Sequence, residues 1–391
     1  MQDVSRIEIS LDNLVFNYKS VQSYVAPSLV IPVVKGNAYG HGAVAASRAL
    51  VEAGASKLAV ARIDEASELR RAGIGPDVEV IIMTVTLPEE IEEAAAIGAS
   101  VFVPDLWRLK FVKSLAERLG RPVLFHIKVD TGMGRIGFML EEAPAVAKDL
   151  EDLGGARLMG IGTHLSASWI ETEQNQRQFE RFTSFVTRIN APGALLHIAA
   201  SSGVARFPEM FMSAVRTGGL MYGLSRIPTP FELKPVAEYK TRVGQVRRLP
   251  AGWHMGYGVE NWVKEPMTTA TLPVGSVDGL SSNMVGRAHF LINGHRCRLV
   301  AVCTDNCMVD LRNAPGAKAG DEVVIFGAQG DDRITVNEMI AANGTGFGEF
   351  VGKIGLRVPR IYFRGGEIAG KMSLFGTEGI AQQMGETSRG A

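Results

Sequence analysis

The chain has 391 residues and a balanced charge, 41 Lys and Arg against 41 Asp and Glu. That length suits two domains, and the absence of a basic stripe argues against nucleic acid or another polyanion as partner. The start, Met1-Gln2-Asp3-Val4-Ser5-Arg6, has no apolar signal core and no apolar run of membrane length follows, so a cytoplasmic protein without membrane contact is expected.

From residue 30 to about 223, short apolar runs alternate with longer amphipathic stretches. The runs are 30–35, 57–61, 78–83, 100–103, 123–129, 157–163, 195–199 and 214–216. Helical patterns lie between them, as in 43–53, 63–72, 89–96 and 174–189, and Gly and Pro mark the joints. Eight strands with intervening helices predict a (β/α)8 TIM-type barrel over 1–231. A doubly wound open sheet is the alternative, but no G-x-G-x-x-G follows the first strand. After about residue 230 the texture changes. Runs at 243–248, 268–273, 288–292, 297–302, 308–311 and 322–325 read as short strands with Gly-rich turns and no helical spacers. They predict a mostly β domain over 232–391, with which the first ten or so residues could pair. Residues from about 376 onward are small and polar and are expected to fray. The three cysteines, Cys297, Cys303 and Cys307, fall within this domain. Their odd, sparse number points to a reducing compartment and to buried strand cysteines, so no disulfide framework and no metal site are expected.

The richest motif is Val33-Val34-Lys35-Gly36-Asn37-Ala38-Tyr39-Gly40-His41-Gly42. A buried strand delivers one lysine into a loop of Gly, Asn and Tyr. Desolvation lowers the pKa of such a lysine and fits it for a Schiff base, as with pyridoxal phosphate; alone, it reads more readily as a lysine snorkelling from a strand end. In a barrel, function sits on loops at the C-terminal ends of strands. Lys128, Asp130 and Arg135 follow the fifth strand, His164 ends the sixth, Ser201 the seventh, and Arg216-Thr217-Gly218-Gly219 the eighth. Ser201, Gly218 and Gly219 suit a phosphate site, with a hydroxyl and unobstructed amides; a simple turn is the competing reading of the glycine pair.

Together with Tyr222-Gly223, Gly256-Tyr257-Gly258 and the stretch from Cys303 to Asp310, these motifs resemble the alanine racemases, pyridoxal-phosphate enzymes of fold type III. The resemblance covers most of the chain. It implies that Lys35 holds the cofactor and acts as one acid/base. Tyr257, from the partner subunit of a homodimer, would be the other. Two groups are needed because a proton removed on one face must return on the opposite one. An unperturbed phenol titrates near pH 10, so Tyr257 needs a cationic neighbour, for which Arg135 and His164 are candidates. Tyr39 and Ser201 would bind phosphate, and Arg216 would face the pyridine nitrogen as a hydrogen-bond donor. Arg135 would orient the cofactor or the substrate carboxylate, and His164 would line the cofactor and touch Arg216. Lys128 matches a position that can be carbamylated; unmodified, it would need Asp130 or another anion beside Arg135. Thr304 and Asp305 would meet the substrate from the second subunit.

Four positions depart from the family pattern. Ser276 replaces a large tyrosine at the substrate entrance, and Phe347 or Gly348 replaces another. Thr304 replaces a methionine, and Ala200 an asparagine. A wider, more polar entrance is expected, open to serine or a longer polar amino acid besides alanine. Two other functions compete: a pyridoxal-phosphate amino-acid decarboxylase on the same plan, and a non-catalytic cofactor-binding homeostasis protein. Against the first, Arg216 stands where a decarboxylase would want an acidic residue. The second needs neither Tyr257 nor a second domain.

Overall fold

A computed structural model describes residues 3–257, 261–346 and 350–379. The chain divides into two compact units. One is Leu14–Ala38 with Ala46–Lys234. The other is the described part of Met1–Asn13, Tyr39–Ala45 and Pro235–Ala391.

After strand β1 (Arg6–Ser10), eight parallel strands build the first unit. They are β2 (Leu29–Pro32), β3 (Lys57–Val60), β4 (Glu79–Ile82), β5 (Ser100–Val103), β6 (Leu124–Lys128), β7 (Arg157–Gly162), β8 (Leu195–Ala200) and β9 (Ala214–Thr217). Their order is β2-β9-β8-β7-β6-β5-β4-β3. A parallel bridge between Val33 and Ala59, with the Val34 N–H donating to Ala59 O at 2.8 Å, joins the two ends. The sheet is therefore a closed barrel, and the open-sheet alternative is excluded. β4, β5 and β9 are buried along their whole length, as parallel strands covered on both faces require. The outer helices show one apolar face each. In Glu173–Ile189 the buried positions are Asn175, Gln178, Phe182, Phe185 and Ile189, the 3-4 spacing of a single stripe.

The first strand is shorter than its apolar run suggests. It ends at Pro32, and Lys35–Tyr39 forms a left-handed turn with φ of 61° at Gly36, 54° at Asn37, 53° at Ala38 and 51° at Tyr39. Gly and Asn tolerate this region; Ala and Tyr there cost about 1–3 kcal/mol each and must be held from outside. One local bond and one to a neighbouring helix contribute. The Ala38 N–H donates to Val34 O at 2.7 Å, and the Gly36 N–H donates to the Glu65 carboxylate at 2.6 Å.

The second unit contains β10 (Ala237–Arg242), β11 (Gln245–Leu249), β12 (Met267–Leu272), β13 (His289–Ile292), β14 (His295–Val302), β15 (Cys307–Asp310), β16 (Glu322–Gln329), β17 (Asp332–Ile334), β18 (Arg360–Arg364), β19 (Glu367–Ser373) and β20 (Gly376–Glu378). Their sheet runs β11-β12-β15-β14-β13-β16-β10-β1-β18-β19-β20, with β17 on β16. β1 thus lies between β10, antiparallel, and β18, parallel. Two expectations need correction. Helix Val336–Asn343 interrupts the β texture, with Thr335 and Glu338 capping its start and Gly344 at φ 69° its end. Residues 376–378 do not fray but pair with β19; the polar stretch from 380 lies outside the described residues. Cys297 and Cys307 are buried in strands, Cys303 is half-buried, and all three are free thiols. Among the described residues no helix is long and apolar enough to cross a membrane.

One buried cation organises this second unit. Arg360, 1% exposed, donates to Gly40 O at 2.9 Å, Gly355 O at 2.7 Å, Val358 O at 2.8 Å and Ile354 O at 2.6 Å. The adjoining glycines permit the approach: a Cβ on Gly40 would overlap the Val351 carbonyl, and one on Gly42 the Tyr362 hydroxyl. Replacing Arg360 by Met should leave several buried carbonyls unpaired and destabilise the protein by roughly 3 kcal/mol. The urea midpoint measures this, and a loss below roughly 1 kcal/mol would contradict the clamp.

Candidate active site

The barrel places the sequence-predicted residues of the first unit at the C-terminal ends of its strands. Lys35 follows β2, Lys128 ends β6, and Arg135 lies in the loop after it. His164 follows β7, and Arg216 lies on β9 just before Gly218-Gly219. Ser201 is not a strand residue; β8 runs to Ala200 and Ser201 begins the short helix Ser201–Arg206. Its hydroxyl oxygen accepts from the Gly218 N–H at 3.1 Å, so the loops after β8 and β9 converge.

These residues form one electrostatic cluster. Burial lowers the Lys35 pKa; Arg135 and Arg216 lower it further, and Glu65 opposes them. Burial, aided by Arg216, brings Lys128 down to about 7, so at neutral pH its amine is substantially unprotonated. The Lys128 Nζ donates to the carbonyls of Val129 at 2.7 Å and Ile136 at 3.4 Å. Asp130 does not serve it directly. Its carboxylate accepts backbone N–H groups from Gly132, Met133, Gly134 and Arg135 at 2.7–3.2 Å, which shapes the loop that carries Arg135. His164 is pushed well below its ordinary pKa by burial and by Arg216, Arg135, Lys128 and Lys35. Its neutral form is therefore favoured, which suits an acceptor more than a cation.

Arg216 is 4% exposed. Burial and Arg135 lower it to about 10, so the guanidinium stays cationic at neutral pH. It donates to Thr163 O at 2.5 Å, to His197 O at 2.8 Å and to the His197 Nδ1 at 2.5 Å, and lies 3.3 Å from the His164 Nδ1. Below it the interior carries polar groups that the motif reading passed over. His197 Nε2 lies 3.1 Å from His126 Nδ1, and His126 Nε2 2.8 Å from the Glu79 carboxylate. The other Glu79 oxygen pairs with Lys57 at 2.6 Å, and Ser100 donates to Glu79 at 2.8 Å. The sequence signal was a histidine interrupting each of the apolar runs 123–129 and 195–199.

Tyr39, Tyr257, Ser276, Thr304 and Asp305 belong to the other unit. Tyr257 is 81% exposed. The Ser276 and Val277 N–H groups donate to Cys303 O and Thr304 O, which brings Ser276 beside Thr304. Arg357, missed in the sequence, bridges this edge, with Asp278 at 2.8 Å and Asp305 at 2.7 Å. Phe347 and Gly348 lie outside the described residues. Among the described residues no group of three or more His, Cys, Asp or Glu is placed to hold a metal ion.

The family descriptions "Alanine racemase, N-terminal domain" and "Alanine racemase, C-terminal domain" match residues 9–226 and 236–362. The chain belongs to the alanine racemase family. It is an amino-acid racemase, not a decarboxylase or a non-catalytic binder. An alanine racemase of Carboxydothermus hydrogenoformans is 36% identical over 367 residues, 91% of this chain and 98% of the relative. The solved alanine racemase of Bacillus anthracis, with bound L-Ala-P, is 31% identical with a TM-score of 0.86, covering 96% of this chain and 99% of that one. That of Bartonella henselae, with covalently bound pyridoxal phosphate, is 26% identical with a TM-score of 0.85, covering 93% of this racemase and all of that chain (100%).

Glu79 gives the racemase an acid-sensitive core. Burial opposes its charge, but the His126 hydrogen bond and the Lys57 pair more than offset this and hold the carboxyl below its ordinary 4.5. A depressed carboxyl stabilises fully above its unfolded value and loses that contribution as pH falls toward the folded one. Stability should therefore decline as pH falls below 4.5, and Glu79→Gln should flatten that decline. Urea unfolding as a function of pH measures it; parallel curves for the two proteins would refute the assignment.

Proposed function

We propose that the chain racemises free alanine, and serine as a second substrate, with pyridoxal phosphate and two acid/base groups, Lys35 and Tyr257 of the partner subunit. The observation that carries this reading is a half-buried lysine, pushed toward its neutral form, sharing one cationic cluster with Arg216 at the barrel mouth. A neutral amine is what covalent attachment of the cofactor requires. The convergence of the Ser201 hydroxyl and the Gly218 amide supports a phosphate site, to which Tyr39 and Gly219 would add. When bound, the cofactor supplies an electron sink that acidifies the substrate Cα–H bond.

The side chains then divide the work. Lys35 would hold or return the proton on one face of Cα, and Tyr257 of the partner subunit on the other. Arg135 would orient the substrate carboxylate with its planar fork, with Thr304 and Asp305 contributed by the second copy of a homodimer. Arg216 would donate to the ring nitrogen while keeping its proton, since a group titrating near 10 yields little at neutral pH. His164 would line the ring as a neutral acceptor. Adjacent exposed Ser276 and Thr304 offer hydroxyls where bulk would otherwise exclude a longer side chain, which supports serine.

Exchange in deuterated water tests both groups. Wild type should racemise alanine and serine, and Tyr257→Phe should lose exchange from one enantiomer far more than from the other. Lys35→Ala should lose the cofactor's visible absorbance. Symmetric loss in Tyr257→Phe would sink the two-base reading, and absence of serine turnover the wider specificity.

Lys128 invites a separate proposal. A buried amine titrating at about 7 is a good nucleophile for carbon dioxide, and a carbamate would give Arg135 and Arg216 a counter-charge. Carbon-13 bicarbonate should produce a carbamate resonance that Lys128→Met lacks; no such resonance in wild type would leave Lys128 a plain amine.

A further inference from the structure

The polar groups inside the barrel permit only one arrangement of protons. Arg216 is a donor only, so the His197 Nδ1 that faces its Nη1 at 2.5 Å must accept. The proton of a neutral His197 then sits on Nε2 and is donated to His126 Nδ1, 3.1 Å away. His126 must in turn carry its proton on Nε2, which faces Glu79 at 2.8 Å. A protonated His126 would set two N–H donors against each other at that 3.1 Å contact. The far end is closed by Lys57 and Ser100 on the Glu79 carboxylate. Glu79, His126, His197 and Arg216 come from four strands, β4, β6, β8 and β9.

Two glycines of β7 make room for the imidazoles. A Cβ on Gly160 would stand 2.6 Å from the His126 Nδ1, and one on Gly162 would overlap the His197 ring. Glycine in a strand interior is otherwise unfavourable, and here its place is taken by the two rings.

We propose that Glu79 is the terminal acceptor of a one-way hydrogen-bond chain, Arg216 to His197 to His126 to Glu79, that fixes the orientation of the Arg216 guanidinium, so that Glu79, His126 and His197 are positioning residues for racemisation. This rests on the reading of Arg216 as the donor to the cofactor ring. With both imidazoles locked as neutral Nε2–H tautomers, His197 can only accept from Arg216. The guanidinium cannot turn away without leaving a buried acceptor unpaired.

The first test needs no turnover. In purified holoenzyme labelled with nitrogen-15 histidine and assigned by single His→Asn variants, His126 and His197 should both show the neutral Nε2–H pattern under the conditions of turnover. An imidazolium or an Nδ1–H tautomer at either ring overturns the proposal, whether or not the variants fold. The second test separates an acceptor from a mere ion pair. Glu79→Leu should lower kcat roughly 10–100-fold with a smaller change in KM, and should shift the cofactor absorbance. The double variant Lys57→Met/Glu79→Gln lacks the ion pair but keeps an acceptor, so it should retain both tautomers and lose far less kcat. Equal losses in the two would overturn the chain. If wild type racemises no amino acid while the tautomers are as expected, the functional reading fails and the chain stands.

Discussion

The barrel depends on keeping a cation in its interior. Arg216 is almost fully buried, and an unpaired buried charge costs far more than one side chain can return through packing. The fold meets this with carbonyls of Thr163, His197 and Ile198 and with a polar chain that ends on a carboxylate. The same cation depresses Lys128 and His164 and adds to the depression of Lys35. The protonation states of the mouth thus follow from one guanidinium and from burial, which is the larger cause in each case.

The second unit meets a similar demand differently. Arg360 is buried among carbonyls, not beside a carboxylate, and it gathers Gly40 with residues 354–358. Gly40 and Gly42 are needed because backbone and ring approach them too closely for any side chain. The same short stretch therefore carries two constraints: a left-handed turn directly after Lys35, and a tight backbone approach at Gly40, the next residue beyond it. A single strand-to-helix loop would need neither.

Much of the fold could be read locally. Parallel strands buried on both faces are continuous apolar runs, and the eight barrel runs coincide with β2–β9 to within a few residues. The first ten residues were expected to pair with the second domain, and β1 does so; β10 and β17–β20 escaped because such strands take their stability from neighbours in the sheet and have little pattern of their own. Helix Val336–Asn343 was legible in its capping residues, Thr335, Glu338 and Gly344, but the surrounding β texture hid it. The state of His164 was not legible in the sequence, because it depends first on burial and then on Arg216, Arg135, Lys128 and Lys35, which only the fold brings near it.

The sequence by itself determined the order of elements, the chemistry-bearing residues at strand ends and the family they resemble. Those depend on local pattern and on motifs of ten residues or fewer. Only the tertiary structure decided which buried polar groups meet. Glu79, His126, His197 and Arg216 are far apart along the chain, and each looks like an isolated polar interruption in an apolar run. Their contact depends on strand register and barrel closure, and on Gly160 and Gly162 leaving space between neighbouring strands. Register is a property of the closed sheet and not of any one strand, so no single stretch of sequence could announce it.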